Sequence, residues 1–124
     1  MVNLGGATEN DRKKIVITKD SKAFFHNNVD YCVGTGRMGL ALTEEYQEEL
    51  RLVQKEIGFK HIRGHGLFCD DMALFQTYEE DGKVRVEYNY TYLDRVMDAY
   101  KKVGLRPFLE LGFMPKKLAS GSQT

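Results

Sequence analysis

The sequence predicts an α/β domain built on a parallel sheet. Two helical stretches with apolar residues at i, i+4 and i+7 spacing alternate with three short apolar strands. Such alternation is typical of right-handed βαβ units, in which a helix returns the chain to a parallel neighbouring strand. The predicted order is strand, helix, strand, hairpin, helix, strand. Because parallel sheets normally have both faces covered, three strands and two helices predict an incomplete domain.

The composition narrows the classes of function. The chain has 124 residues, 42% hydrophobic and 29% charged, which fits one globular domain. Eighteen basic and eighteen acidic residues cancel, so no surface for nucleic acid or an anionic membrane is predicted. No stretch approaches the roughly 20 apolar residues of a membrane span, and the polar N-terminus lacks a secretory signal pattern. Cys32 and Cys69 follow no metal-ligand spacing, which favours reduced thiols and a cytoplasmic protein.

The first half of the chain contains one predicted strand and one predicted helix. Residues 1–28 are interpreted as a polar lead-in, with one candidate short strand at residues 15–17, and residues 29–124 as the domain. The first convincing strand covers residues 31–33 and closes on a glycine-rich turn. Thr43 is placed to cap the helix that follows, and Gly58 to end it. The apolar stripe of this helix comprises Tyr46, Leu50, Val53 and Ile57.

The second half repeats the pattern around a hairpin. A strand over residues 59–67 leads to two β-rich runs that flank Asp81 and Gly82, a typical hairpin turn and an excursion from the loop after this strand. A second helix is predicted to begin near Thr91, with Asp94 in a capping-box-like arrangement. The third strand covers residues 106–111. The buried stripe of the second helix comprises Leu93, Val96, Met97, Tyr100 and Val103.

The most unusual chemistry lies at residues 61–71, HIRGHGLFCDD. Side chains alternate across a strand, so His61, Arg63 and His65 share one face. A guanidinium on a strand requires a carboxylate or solvent to receive it, and Glu110 on the adjacent third strand is the natural partner of Arg63. A structural ion pair and a role in shaping a site are both compatible with this pairing.

His65 is a candidate ligand contact, since glycines flank it and α/β folds bind ligands at the C-terminal ends of their parallel strands. The alternative is a structural, hydrogen-bonded histidine. His61 lies about 13 Å away along the strand, too far to share a metal ion. Phe113, at the end of the third strand, fits either a sugar-stacking platform or a capping hydrophobe. The loop residues Asp70 and Asp71 are expected to be a solvated pair.

Gly34, Gly36 and Gly39 match the G-x-G-x-x-G pattern of dinucleotide-binding turns. Three residues separate Gly39 from the predicted helix cap, although that mechanism needs the helix to open at the third glycine. The acidic residue expected near the end of the second strand is also absent. A nicotinamide-dependent oxidoreductase built on residues 34–39 and a plain glycine-rich turn are therefore both kept as interpretations.

Three segments together resemble a known family. They are residues 31–42 (YCVGTGRMGLAL), 59–71 (FKHIRGHGLFCDD) and 88–124, which begins YNYTYLDRVMDAY. In order and spacing they look like the N-terminal part of glycoside hydrolase family 39, nearest to its bacterial β-xylosidases. The resemblance implies an α/β fold, a partial (β/α)8 TIM barrel of which this chain supplies the first three strands and two helices. It also implies retaining hydrolysis that releases terminal xylose from xylo-oligosaccharides.

The resemblance also implies which residues form the site. His65 matches the sugar-contacting histidine of the family, and Arg63 the arginine that supports the nucleophilic carboxylate. Gly36, Arg37 and Phe113 are expected nearby. No catalytic residue, metal or cofactor is implied in this chain. The family carries its acid/base in an Asn-Glu-Pro motif, which this sequence lacks, and neither catalytic position is matched by any of Glu44, Glu45, Glu110, Asp70 and Asp71.

The expectation is therefore a truncated segment of a β-xylosidase, inactive alone and prone to self-association through the open edges of its sheet. Its substrate would be a xylo-oligosaccharide or an aryl xyloside, and a homo-oligomer of the full-length enzyme is compatible with the resemblance. The oxidoreductase and a non-catalytic sugar-binding fragment remain the alternatives.

Overall fold

The computed structural model of the chain describes residues 15–16, 18–20, 24 and 26–122. Its described residues before Cys32 form neither helix nor strand. Ile15 and Val16 are exposed coil, so they do not form the short strand predicted there. The third residue of that prediction, Ile17, lies outside the described residues.

From Cys32 onward, strands and helices alternate in the predicted order. The elements are β1 (Cys32–Arg37), α1 (Glu44–Glu56), β2 (His61–His65), β3 (Phe75–Glu80), β4 (Lys83–Tyr88), α2 (Thr91–Lys102) and β5 (Arg106–Leu109). Strands β1, β2 and β5 form a parallel sheet in that order, and β3 pairs with β4 in an antiparallel hairpin. This confirms the α/β class, the three-stranded parallel sheet and its two helices. Closure into a (β/α)8 barrel stays a prediction.

Strand β1 is longer than predicted and contains Gly34 and Gly36, two of the three glycines that were assigned to a turn. It pairs Gly34 with Arg63 but Gly36 with Gly64, so Thr35 is an extra residue on β1 and forms a bulge. Gly36 has a φ of +72°, which a glycine adopts without strain. The glycines therefore bend the strand instead of ending it, and the next pair is Arg37 with His65.

Both helix caps differ from their predictions. Thr43 precedes α1, but its hydroxyl donates to the Leu40 carbonyl, 2.8 Å away, and caps no helix amide. At α2 no side chain at the N-cap position binds a helix amide, so the capping box with Asp94 is wrong. The Asn89 side-chain oxygen instead accepts from the backbone N–H of Thr91 at 3.0 Å. Short polar side chains also bond to nearby backbone, so Thr43 is engaged outside α1, and the first amide of α2 is bound by Asn89 instead of by a capping box.

The two helices cover one face of the sheet and enclose the core there. Ile62 of β2 is buried among apolar residues of both helices, as the predicted stripes require, although Ile57 at the end of the first stripe is exposed. Gly64 packs against the bulge so closely that a Cβ would lie 2.7 Å from Thr35 Cγ2. The buried apolar residues are Met38, Ala41, Leu50, Ile62, Leu67, Met72, Val96, Ala99, Tyr100 and Leu105.

The other face of the sheet carries the polar residues of β2. Ile62 and Gly64 are buried, whereas His61, Arg63 and His65 are not, which confirms the predicted alternation. Arg63 lies in register with Phe108 of β5. Phe108 is 59% exposed. No helix of the described chain covers this face, although both faces of a parallel sheet are normally covered.

The hairpin follows the loop after β2, as predicted. Asp81 and Gly82 connect its strands, with φ values of +52° and +70°. Positive φ at both residues is the requirement of a type I′ turn, which matches the twist of the flanking strands. Every residue of β4 is exposed, so the hairpin projects from the body of the chain.

Candidate functional site

The C-terminal end of β2 presents His65 beside Phe113. Their ring centroids lie 5.4 Å apart at an interplanar angle of 76°, an edge-to-face contact. Phe113 belongs to the segment after β5, which the Gly66 N–H holds by donating to the Gly112 carbonyl at 3.4 Å. The Nδ1 atom of His65 is buried and has no hydrogen-bond partner among the described residues. The imidazole thus retains unused hydrogen-bonding capacity.

Arg63, two residues earlier on the same face, pairs with Glu110 as predicted. The Arg63 Nη2 and Glu110 Oε1 atoms lie 3.2 Å apart. Glu110 is one residue beyond the end of β5, and its N–H donates to the Gly64 carbonyl at 2.9 Å, which continues the sheet register. The pair is partly exposed, so it anchors the guanidinium on the open face without burying an ion.

Arg37 also reaches this edge of the sheet, because the bulge in β1 places it in register with His65. Its guanidinium forms an ion pair with Asp71, from the loop after β2. Asp70 accepts from the backbone N–H of Lys116 at 3.0 Å. The two aspartates are exposed, as expected, but each has a protein partner instead of water alone. The Arg37–Asp71 contact could have been predicted from position, because the end of one strand and the loop after the next strand lie at the same edge of a parallel sheet.

The structure therefore brings four of the five predicted site residues to one end of the sheet: Arg63, His65, Arg37 and Phe113. Gly36, the fifth, acts through the backbone by setting the register of Arg37. The cluster offers an imidazole, two guanidinium groups and an aromatic ring, a set suited to a ligand with many hydroxyl groups. Both carboxylates nearest the arginines are engaged in ion pairs, so the cluster contains no free pair of acids.

The glycine pattern of β1 does not have the geometry of a dinucleotide-binding turn. Gly34 and Gly36 lie inside the strand, and Gly39 lies in a 3₁₀ turn, Met38–Leu42. Helix α1 begins only at Glu44, so the amides of its first turn are separated from the third glycine. That arrangement differs from the fingerprint, in which the helix N-terminus meets the pyrophosphate.

Other features of the described chain lie away from this cluster. A cavity of about 580 Å³ opens at the opposite end of the sheet, where His61 and Arg106 begin their strands. Within residues 26–122 and the few described before them, no three His, Cys, Asp or Glu side chains converge as metal ligands. No helix in the described portion has the length and apolar character needed to cross a membrane. Cys32 and Cys69 are both free thiols.

A buried tyrosine lies beneath the cluster. Tyr100 of α2 is fully buried, and its hydroxyl donates to the Met38 carbonyl at 3.4 Å. Burial, with a smaller contribution from Tyr46, raises the pKa of Tyr100 far above its ordinary value. Tyr46 in turn shares a hydrogen bond with Thr35, the extra residue of the β1 bulge. These contacts tie both helices to the bulge that sets the site register.

Comparisons with known proteins agree with this architecture. A family model described as glycosyl hydrolases family 39 matches residues 13–124. A β-xylosidase of Geobacillus stearothermophilus is 50% identical over 112 residues, which cover 90% of this chain and 22% of that protein. A β-xylosidase of Caldicellulosiruptor saccharolyticus is 37% identical over 94 residues, 75% of this chain and 18% of that protein.

A solved structure supports the same relationship. The family 39 β-xylosidase of Caulobacter crescentus superposes with a TM-score of 0.66 and 33% identity, over 74% of this chain and 20% of that one. The chain thus spans about a fifth of the length of the curated relatives it matches. Because the family model covers nearly the whole chain and the structural match follows the observed sheet, the chain belongs to glycoside hydrolase family 39.

Proposed function

We propose that this chain supplies the first three strands and part of the sugar-binding wall of a retaining β-xylosidase that releases terminal xylose from xylo-oligosaccharides. The observation that carries the proposal is the position of His65. Its imidazole ends β2 beside Phe113 and is partly exposed, in a chain 50% identical to a β-xylosidase. A partly exposed imidazole next to an aromatic face is suited to one sugar ring.

Each residue has a distinct part in this proposal. His65 contacts a hydroxyl group of the terminal sugar, and Phe113 supplies the apolar surface against which the ring rests. Arg63, anchored by Glu110, presents its guanidinium to a nucleophilic carboxylate on a strand that is not among β1, β2 and β5. Arg37, held by Asp71, adds a second cation at the rim. Hydrogen bonds to sugar hydroxyls that strengthen in the transition state supply several kcal/mol in such enzymes.

The 124-residue chain alone is proposed to have no glycosidase activity. Retaining hydrolysis needs two carboxyl groups about 5 to 5.5 Å apart, one as acid/base and one as nucleophile. The carboxylates at this edge have other partners: Glu110 binds Arg63, Asp71 binds Arg37, and Asp70 accepts from the Lys116 N–H. The sequence also contains no Asn-Glu-Pro.

A chimera tests the proposal directly. The matching 112-residue segment of the Geobacillus β-xylosidase is replaced by this chain, and hydrolysis of an aryl β-xyloside is measured beside that of the isolated chain. We expect the chimera to be active and the isolated chain to be inactive. His65→Ala in the chimera is expected to lower kcat/KM at least about tenfold, which corresponds to about 1.4 kcal/mol of transition-state binding.

The matched control is His61→Ala, on the same face of β2 but at the far end of the sheet, which is expected to leave kcat/KM within about a factor of three of the chimera. An active chimera whose rate is unaffected by His65→Ala would rule out the role given to His65. A folded chimera that hydrolyses other aryl glycosides but no aryl β-xyloside would rule out the proposed substrate.

A further inference from the structure

The two outer edges of the hairpin are protected differently. On β3, the Lys117 ammonium group donates to the Thr77 carbonyl at 2.9 Å and to the Thr77 hydroxyl at 2.7 Å. A lysine on an edge strand blocks the pairing of another strand. On β4, no hydrogen bond from the described residues reaches the outer edge, and all six residues of the strand are exposed.

The hydrogen-bond pattern identifies the backbone groups on the open edge of β4. The Asn89 N–H donates to the Leu74 carbonyl at 2.9 Å, so these two residues form a hydrogen-bonded pair across the hairpin. Such pairs alternate along an antiparallel ladder with pairs whose backbone groups point outward. By this alternation the N–H and C=O groups of Val84, Val86 and Tyr88 point away from β3.

The sequence of β4 is complementary to itself when it is reversed about Val86. An antiparallel copy centred there places Val84 opposite Tyr88, Val86 opposite Val86, and Arg85 opposite Glu87. The outward backbone groups of Val84, Val86 and Tyr88 then meet the same groups of the copy, as an antiparallel ladder requires. Opposite charges or apolar side chains face each other at every position from 84 to 88, and both kinds of cross-strand pair are stabilising.

We propose that β4 pairs with β4 of a second copy of this chain, antiparallel and about a two-fold axis at Val86. A symmetric interface uses the same patch on both copies, and this strand meets that condition in its backbone and in its side chains. The partner hairpins form one four-stranded antiparallel sheet, an arrangement that a lone two-stranded hairpin in water needs for stability.

The distribution of side chains over the two faces of the hairpin also fits pairing with a second copy. Val84, Val86 and Tyr88 lie on one face of the hairpin, where Tyr88 contacts Phe75 with ring centroids 5.8 Å apart. A two-fold axis perpendicular to the sheet keeps the apolar faces of both copies on one side, so the exposed valines continue into a single apolar strip. Arg85 already contacts Glu80 within its own hairpin at 3.1 Å, and this places its guanidinium on the other face, where Glu87 of the second copy arrives.

Charge reversal at two positions gives a selective test. Arg85→Glu sets carboxylates opposite each other in a self-pair, and Glu87→Arg sets guanidinium groups opposite each other. A mixture of the two variants restores opposite charges at both positions. We expect a tagged Arg85→Glu chain to bind an untagged Glu87→Arg chain at least about tenfold more tightly than either variant binds itself, as measured by surface-immobilised binding titration.

The two variants carry opposite net charges, so association through any other surface, including the open face of the parallel sheet, also favours the mixture; the titration is therefore run at high ionic strength, which screens this long-range contribution. Equal binding in the three combinations would overturn the proposal. Amide hydrogen exchange provides a second readout on the unmodified chain. The N–H groups of Val84, Val86 and Tyr88 are expected to gain protection as concentration rises, whereas unchanged exchange at all three across the association range would also overturn it.

Discussion

The Arg63 guanidinium and the Glu110 carboxylate meet on the uncovered face of the sheet, with 3.2 Å between Nη2 and Oε1. The side chains are 57% and 36% exposed, so water competes with the pair and weakens it. Its effect is mainly to orient the guanidinium, because the backbone of Glu110 is fixed separately by its bond to Gly64. The pair therefore affects the orientation of Arg63 more than it affects the stability of the fold.

Glu110→Gln is expected to lower the free energy of unfolding of the isolated chain by less than about 1 kcal/mol, since exposed ion pairs contribute about that much or less. Urea unfolding measures the change. Lys60→Gln serves as a control at the exposed Lys60–Asp30 pair, where the charged atoms are 3.6 Å apart, and should have a similarly small effect. A loss above about 2 kcal/mol at Glu110 would mean that the pair is shielded from water.

Gly64→Ala is expected to destabilise the chain by about 1–3 kcal/mol through overpacking. The new Cβ would lie 2.7 Å from Met38 Cγ and 2.8 Å from the Gly36 carbonyl oxygen, which is backbone and cannot rotate away. Gly34→Ala is the matched control on the neighbouring strand, where nothing lies within 4 Å of the added atom. Thermal or urea unfolding of both variants should separate them, and equal stability would contradict the close packing of β1 on β2.

The substitution His65→Phe tests whether His65 contributes to ligand binding or to the stability of the fold. The phenyl ring keeps an aromatic contact with Phe113 and removes a buried nitrogen that has no partner among the described residues. A buried unsatisfied polar group costs about 1–3 kcal/mol, so the variant of the isolated chain is expected to be at least as stable as the original in urea. In the chimera the same change is expected to lower kcat/KM at least about tenfold. A clear loss of stability would instead identify His65 as a structural residue.

Tyr100→Phe is expected to reduce the alkaline sensitivity of the fold. Burial raises the pKa of Tyr100 in the folded state, so the unfolded chain loses this proton first as the pH rises. The free energy of unfolding is therefore unaffected by this group below about pH 10, the pKa of a tyrosine in the unfolded chain, and it decreases progressively above that pH. Unfolding free energies at neutral pH and at about pH 11 should therefore diverge less in the variant than in the original chain.

The matched control for that measurement is Tyr92→Phe, on the same helix but exposed. Because this side chain is exposed, its replacement should leave the slope of stability against pH unchanged. If both variants showed the slope of the original chain, ionisation of Tyr100 would not be the cause of alkaline unfolding.

Much of the fold followed from local pattern. The alternation of β2 put His61, Arg63 and His65 on one face, and Asp81 with Gly82 specified the hairpin turn. The helical stripes identified the faces that bury Leu50 and Val96. These features depend on apolar periods of two or about 3.6 residues and on turn-forming residues, all of which can be recognised within a short stretch of sequence.

The errors arose where a long-range contact decided the outcome. Residues 34–37 were assigned to a turn because of their glycines, yet pairing with β2 keeps them in β1. Threonine is a common helix-capping residue, but the Thr43 hydroxyl donates to the Leu40 carbonyl in the preceding 3₁₀ turn. The Arg37–Asp71 contact joins the last residue of β1 to the loop after β2, and Arg37 could be placed there only once β1 was known to extend through the glycines. The family match begins at residue 13, so the boundary placed after residue 28 stays a prediction.

The extra residue in β1 has a consequence for how this segment tolerates change. Side chains alternate in direction along a strand, and the bulge absorbs Thr35 as an extra residue, so that Arg37 stays in step with His65. A deletion of Thr35 would leave regular pairing with Arg37 still opposite His65, whereas a one-codon insertion between Gly36 and Arg37, taken up without a second bulge, would direct the guanidinium toward the helices and the apolar core. Point substitutions at the rim can be absorbed by neighbouring partners, but a frame-preserving insertion here would remove a cation from the open face and place it in the interior in one mutational step.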